Sequence, residues 1–240
     1  VRLVTPKYTL VASKGKVKNM SMFKTLSDLR KNTIENKGSG GPQDGERVQR
    51  YFTIKSGESF LIRFRQELTE DSQNFSEEAG TAHVVSVHTN PNDFKKSAVC
   101  TGDNEDFGYR CFGCEQVVHD RGWKSKQHLL INVAVYNAED DAWEPRVLDQ
   151  KFTGAHVAET VVTFASEYGT ILDRDFKISR TGQKQQTKYN LIPLAPKDAH
   201  ASIASLPMHD LTRVYKVMNP AEQAGFYIAE DDSSSSNDWK

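Results

Sequence analysis

A chain of 240 residues and 27.0 kDa holds one fair-sized domain with appendages, or two small ones. Hydrophobic residues at 37% and aromatics at 10% suffice for a packed core and exclude a disordered polymer, while a mean hydropathy of -0.62 leaves much of the length as polar surface, loop or tail. The net charge of -1 names no partner, but it is unevenly spread: residues 1–20 carry Arg2, Lys7, Lys14, Lys16 and Lys18 and no acid, and residues 230–240 carry Glu230, Asp231, Asp232 and Asp238 against Lys240 alone.

Three cysteines cannot all pair, which argues against a secreted disulfide framework. No apolar run approaches the ~20 residues of a membrane span, and the opening lacks the apolar block of a signal peptide. The expectation is an intracellular, soluble protein. Residues 1–21 read either as a basic arm or as a non-native leader, since Val1 is an unusual first residue and "MSMF" looks like a natural start.

Residues 22–44 follow as a helix, with Phe23, Leu26, Leu29 and Ile34 at helical spacing, and a Gly-rich linker, "NKGSGGPQDG". The period then becomes two. In "ESFLIRFRQ", Phe60, Ile62 and Phe64 share one face and Leu61, Arg63 and Arg65 the other. "AHVVSVH" and "QHLLINVAVYN" continue as strands, the second apolar enough to be central. "WEPRVLDQKF" reads as an edge strand, because Pro145 cannot donate to a ladder.

"AHVAETVVTFASEYG" is a helix with Val157, Val161, Phe164 and Tyr168 on one face and Gly169 just past its end. "DFKISR" and "KYNLIPL" form a hairpin around "TGQKQQT". Residues 197–229 are a loop-like extension with a short helix at "HDLTRVYKVMN", stopped by Asn219 and Pro220, and residues 230–240 are a disordered acidic tail. Residues 45–196 thus form the core: mainly β with some α, an OB-fold-like, partly open β-barrel with an insertion at 88–126 and flexible termini.

The insertion holds every cysteine. Cys111-x-x-Cys114 brings two thiolates from one tight turn to a single ion, Gly113 relaxes that turn, and Cys100 adds a third sulfur. Structural zinc takes four tetrahedral ligands, commonly Cys₃His. His88 is the best-placed fourth ligand, His119 competes from just beyond Cys114, and His83 is a third choice. A closed shell makes the zinc structural, and no thioredoxin-like βαβ unit surrounds the pair to suggest redox catalysis.

His88, Cys100 and "YRCFGC", set within an OB-like strand order, resemble the single-stranded-DNA-binding (helix-destabilising) proteins of T-even and related tailed phages over roughly residues 45–195. The resemblance implies that His88, Cys100, Cys111 and Cys114 hold zinc in a subdomain bracing a DNA cleft. It also implies a place of action in the cytoplasm of a bacterial host. The N-terminal arm is longer and less compact than the segment through which that family self-associates along DNA.

Binding single strands without sequence preference needs positive charge along the backbone and aromatic faces for the bases, each stack contributing ~1–3 kcal/mol. The chain interleaves the two. Arg47, Arg50 and Tyr51 precede the first strand; Arg63 and Arg65 lie on it; Lys95 and Lys96 follow Phe94. Tyr109 and Arg110, then Arg121, Trp123, Lys124 and Lys126, belong to the insertion and its exit, and the late hairpin adds Lys177, Arg180, Lys184, Lys188 and Tyr189. A basic pair on a strand more often describes a solvated face, and Tyr51 and Tyr189 equally describe core; Trp123, in a polar basic loop, is best explained by stacking. The tail, with Trp239 among Glu230, Asp231, Asp232 and Asp238, resembles the tails through which prokaryotic and phage single-strand binders recruit replication and repair enzymes.

A metal-dependent nuclease is the enzymatic rival, with Asp149 and Lys151 beside Glu139, Asp140 or Asp141. Against catalysis stand the closed zinc shell and the absence of HExxH, deaminase, Walker and Rossmann motifs. A zinc-ribbon RNA- or protein-binding module is the other rival. A duplex reader is not expected, because the helix at 155–168 has no Arg or Lys to present to a groove. The reading is a non-enzymatic protein that coats single-stranded DNA in replication, recombination or repair.

Overall fold

The computed structural model describes residues 54–152, 157–183 and 186–229. The helix expected at 22–44, the leader, Arg47, Arg50, Tyr51, Lys184 and the acidic tail lie outside the described residues.

The described strands are β1 (Ser59–Phe64), β2 (His83–Thr89), β3 (Ser97–Val99), β4 (Lys126–Asn137), β5 (Ala142–Lys151), β6 (Arg174–Thr181) and β7 (Lys188–Pro196). The helices are α1 (Phe112–Gln116), α2 (Val157–Tyr168), α3 (Ala201–Ala204) and α4 (Pro220–Ile228), with short 3₁₀ turns between them. No helix among the described residues is long and apolar enough to cross a membrane.

All seven strands join one antiparallel sheet in the order β3-β2-β4-β1-β6-β7, with β5 paired to β4 off that path. The twelve residues of β4 organise it, because the strand is long enough to hold two partners end to end. β5 occupies one edge of β4 from His128 to Asn137, so β2, paired at Lys126–Leu130, and β1, paired at Val133–Val135, share the other. The hydrogen-bonded path does not return on itself, and the sheet is open. β5 pairs with β4 alone, the edge position that Pro145 requires.

One sheet face carries the main core. Ile62, Phe64, Leu129, Ile131, Val133, Leu148, Phe176 and Ile178 bury against Val157, Ala158 and Val161 of α2. That helix ends at Gly169 (φ 71°), whose N–H bonds Ala165 O at 3.0 Å. The left-handed turn is one a Cβ resists.

The other face is not left open, and here the structure departs from the alternation of β1. The C-terminal extension lies across it. Arg65 Nη1 donates to Pro207 O at 2.9 Å, and Asn132 exchanges bonds with the His209 backbone at 2.9 and 3.0 Å. Leu211 buries with Val85, Val87, Leu130 and Val147 in a second, smaller core. The extension reaches β3, where Lys216 bridges to Ala98, before α4 begins. Asn219 and Pro220 do not stop a helix, as the sequence suggested; they start one. Asn219 and Glu222 form a reciprocal capping box with Pro220 in the first turn, while the stretch before them holds only the 3₁₀ turn Leu211–Arg213.

Candidate metal centre and adjoining groove

Each ligand position has a local cause. His88 sits near the end of β2, next to Ala98 of β3. Cys100 follows β3 directly, pinned by its N–H to Ser86 O at 2.7 Å. The intervening loop is tied by Asn104, whose side chain caps a 3₁₀ turn, and by Thr101 Oγ1 donating to Arg110 O at 2.7 Å. Cys111 is the N-cap of α1, which places Cys114 on the next turn facing back. Gly113 is forced by packing: a Cβ there would lie 2.4 Å from His88 Cγ.

The ligand atoms of His88, Cys100, Cys111 and Cys114 all lie within 4.8 Å of one another. Cys100 Sγ is 3.5 Å from Cys114 Sγ, which is 3.4 Å from His88 Nε2. Sulfurs bound tetrahedrally at ~2.3 Å are about 3.7 Å apart, so one ion can span these positions. His88 Nδ1 donates to Trp123 O at 2.6 Å, which turns Nε2 toward the sulfurs. No cysteine is in a disulfide; Cys100 and Cys111 are buried and Cys114 is exposed. His119 is exposed and His83 lies within β2, and neither belongs to the cluster.

The electrostatics suit a cation. A hydrogen bond from Cys100 is the main reason that the Cys111 thiol is driven well below the ordinary thiol range, with help from His88 and the N–H groups of Cys114 and Thr101. The same bond, with burial, pushes Cys100 up, and burial pushes Cys114 up. Three thiols this close resist ionising together; a bound cation removes that conflict. The cluster can therefore hold a metal ion.

Beyond the ligands, α4 supplies Gln223, whose Oε1 accepts from Phe112 N at 3.1 Å, and Tyr227, whose hydroxyl donates to His88 O at 2.9 Å. Neither was singled out from the sequence. The signal was present as Asn219-x-x-Glu222, a capping-box spacing that announces a helix start.

The basic and aromatic residues divide into three groups. Some are consumed internally. Arg63, 3% exposed, pairs with Asp175 at 3.1 Å and donates to Leu172 O and to Lys197 O. Arg180 donates to Ile54 O at 2.8 Å beside Tyr189. Trp123 is half-buried, edge-on to Phe112 and Tyr227. Others are exposed but scattered: Tyr109, Arg110 (paired with Glu115 at 3.3 Å), Arg121, Lys124, Lys126, Lys177 and Lys188.

The third group converges. Phe94, 80% exposed, and Lys95 line an open groove of about 410 Å³ with Tyr215, Lys216 and Phe226. Lys216 Nζ lies 4.7 Å from the Phe226 ring centroid. Lys96, behind it, donates to Ala229 O. Sequence reading found Lys95 and Lys96; it missed Lys216 and Phe226, which reach the groove only because the extension folds back onto β3.

The nuclease pairing is not assembled. Asp149 is bonded to His128 Nδ1 at 2.6 Å and to the Tyr215 hydroxyl. Glu139, Asp140 and Asp141 sit at the opposite end of β5, about 25 Å away along the strand. Compared with known proteins, the chain matches no family model, and no curated protein or solved structure is significantly similar to it.

Proposed function

We propose that the protein binds single-stranded DNA on an OB-like, partly open barrel, with structural zinc in the His88–Cys100–Cys111–Cys114 cluster. The observation that carries this reading is the groove beside the cluster, where the exposed ring of Phe94 and the half-buried ring of Phe226 lie together with Lys95 and Lys216. Rings that stack on bases of any identity, next to cations that follow phosphates, make a surface suited to strands of any sequence. Zinc is preferred because three thiolates and one imidazole form a closed tetrahedral set of borderline-soft donors. Its role is to tie together the end of β2, the turn after β3 and the start of α1, next to the groove; the closed shell leaves no position for a reacting water. The acidic tail recruits other replication or recombination proteins, and the basic arm supports self-association along DNA in a bacterial host cell.

The test is tryptophan fluorescence on titration with oligo-dT at two salt concentrations, with Mg²⁺ present and duplex of equal length as control. Saturating quenching by the single strand that weakens with salt, with the DNA left intact, is the expected result. Shortened DNA would point to the nuclease, and no response to either form to a zinc-stabilised protein-binding module.

A further inference from the structure

Helix α4 contributes no ligand, yet its buried face is turned wholly toward the metal cluster. Only Gln223 and Tyr227 of this helix are buried. A surface helix of this length is ordinarily held by an aliphatic stripe; this one is held by a carboxamide and a phenol. Gln223, 1% exposed, faces Cys111 Sγ at 3.4 Å and Phe112 N at 3.1 Å with Oε1. Its Nε2 reaches Thr101 Oγ1 at 3.1 Å and Val99 O and Met218 O at 3.2 Å. Tyr227, one turn later, bonds His88 O, and its ring packs against Phe112 and Trp123, the residue whose carbonyl holds the His88 imidazole.

Two side chains four residues apart therefore touch all three segments that carry ligands: the end of β2, the turn after β3 and the start of α1. The bonds of Gln223 can be made together only while the Val99–Thr101 segment and Phe112 are held at one spacing. A buried amide whose partners drift apart is left with unmade bonds.

We propose that Gln223 and Tyr227 are positioning residues for the metal, so that metal occupancy and docking of α4 form a single coupled equilibrium. Metal release then frees α4, and with it Phe226, from the groove wall. Coupling of this kind is reciprocal: whatever loosens α4 weakens the metal to the same degree. The inference rests on the metal reading of the cluster and not on the nucleic-acid reading.

The test uses the full-length chain loaded with Zn²⁺. Zinc affinity is measured by competition with a chromogenic chelator, and amide hydrogen exchange is followed before and after zinc removal. Gln223→Ala should lower zinc affinity about 10–100-fold, the range for residues that orient metal ligands, and Tyr227→Phe should lower it in the same direction by less. Asn219→Ala removes the helix cap without touching any ligand segment, and it too should weaken zinc several-fold. Zinc removal should accelerate exchange across 220–229 while β4 and β5 stay protected.

Equal exchange across 220–229 with and without zinc would overturn the proposal, as would wild-type zinc affinity in Tyr227→Phe and Asn219→Ala, which keep the test open should Gln223→Ala fail to fold. A chain that takes up no zinc would overturn it together with the metal reading. Both readouts stand whether or not the protein binds DNA.

Discussion

Arg63 has the residue type of a phosphate contact and the surroundings of a core residue. Its guanidinium meets the Asp175 carboxylate, itself also paired with Lys197 at 2.6 Å, beneath the C-terminal extension. Breaking a buried pair costs ~3–5 kcal/mol because the remaining charge stays behind. Lys197 still compensates Asp175, so Arg63→Ala should cost about 3 kcal/mol, read by urea denaturation. A variant with unchanged stability and weakened DNA binding would return Arg63 to the surface. Glu67 makes a second case. It is 0% exposed, accepts from Thr170 and Ile171, and burial raises its carboxyl above the ordinary 4.5. The folded state thus holds the proton more tightly than the unfolded chain, so the contribution is fully present below 4.5 and is lost as pH rises through the raised value. The stability of Glu67→Gln relative to the parent should improve as pH rises above 4.5; a constant difference would sink the idea. The metal cluster, by contrast, was legible residue by residue, because a Cys-x-x-Cys turn is a local object. Whether a strand's polar side chain faces solvent is not local, and Arg63 shows it.

At the scale of elements, periodicity carries most where an element buries only one face. Helix α2 announces itself through Val157, Val161 and Phe164, and its end through Gly169. Gly169→Ala would force a left-handed residue to carry a Cβ, 2.7 Å from Gln73 Nε2. The expected cost is ~1–2 kcal/mol, or roughly 3–6 °C in Tm for a domain of this size, measured by calorimetry; no change would mean that the helix end relaxes out of that turn. Strands β4 and β5 were equally readable, the first from its continuous apolar run and the second from Pro145. Helix α4 was not. Its buried residues are Gln223 and Tyr227, so no apolar stripe marks it. Asn219-Pro220 was ambiguous because proline suits both the position after one helix and the first turn of the next. Strand β3 has three residues, too few for any alternation to register.

For the molecule as a whole, the consequential feature is how the extension divides the sheet's second face. It covers Arg63 and Arg65, and by carrying Lys216 and Phe226 to β3 it builds a groove whose halves lie about 120 residues apart in sequence. No reading of neighbouring residues could have joined Lys95 to Lys216; only the parallel bridge from Ala98 to Lys216 does so. That division yields a prediction in which charge and stacking separate. Each phosphate neutralised on a single strand contributes about -0.7 to the slope of log K against log salt. Lys95→Ala with Lys216→Ala should therefore make the slope for oligo-dT shallower by roughly 1.4. Phe94→Ala should instead lower affinity by ~1–3 kcal/mol at every salt concentration, leaving the slope intact. Phe94 is the cleaner probe of stacking, because at 80% exposed it supports nothing beneath it. Lys216 also lies over Phe226, so its replacement should be checked against Tm; a fall there would mean that the lysine holds the groove rather than the strand. A slope unchanged in the double variant, with Tm preserved, would move the phosphates away from this groove and toward the exposed lysines beside the cluster, Lys124 and Lys126.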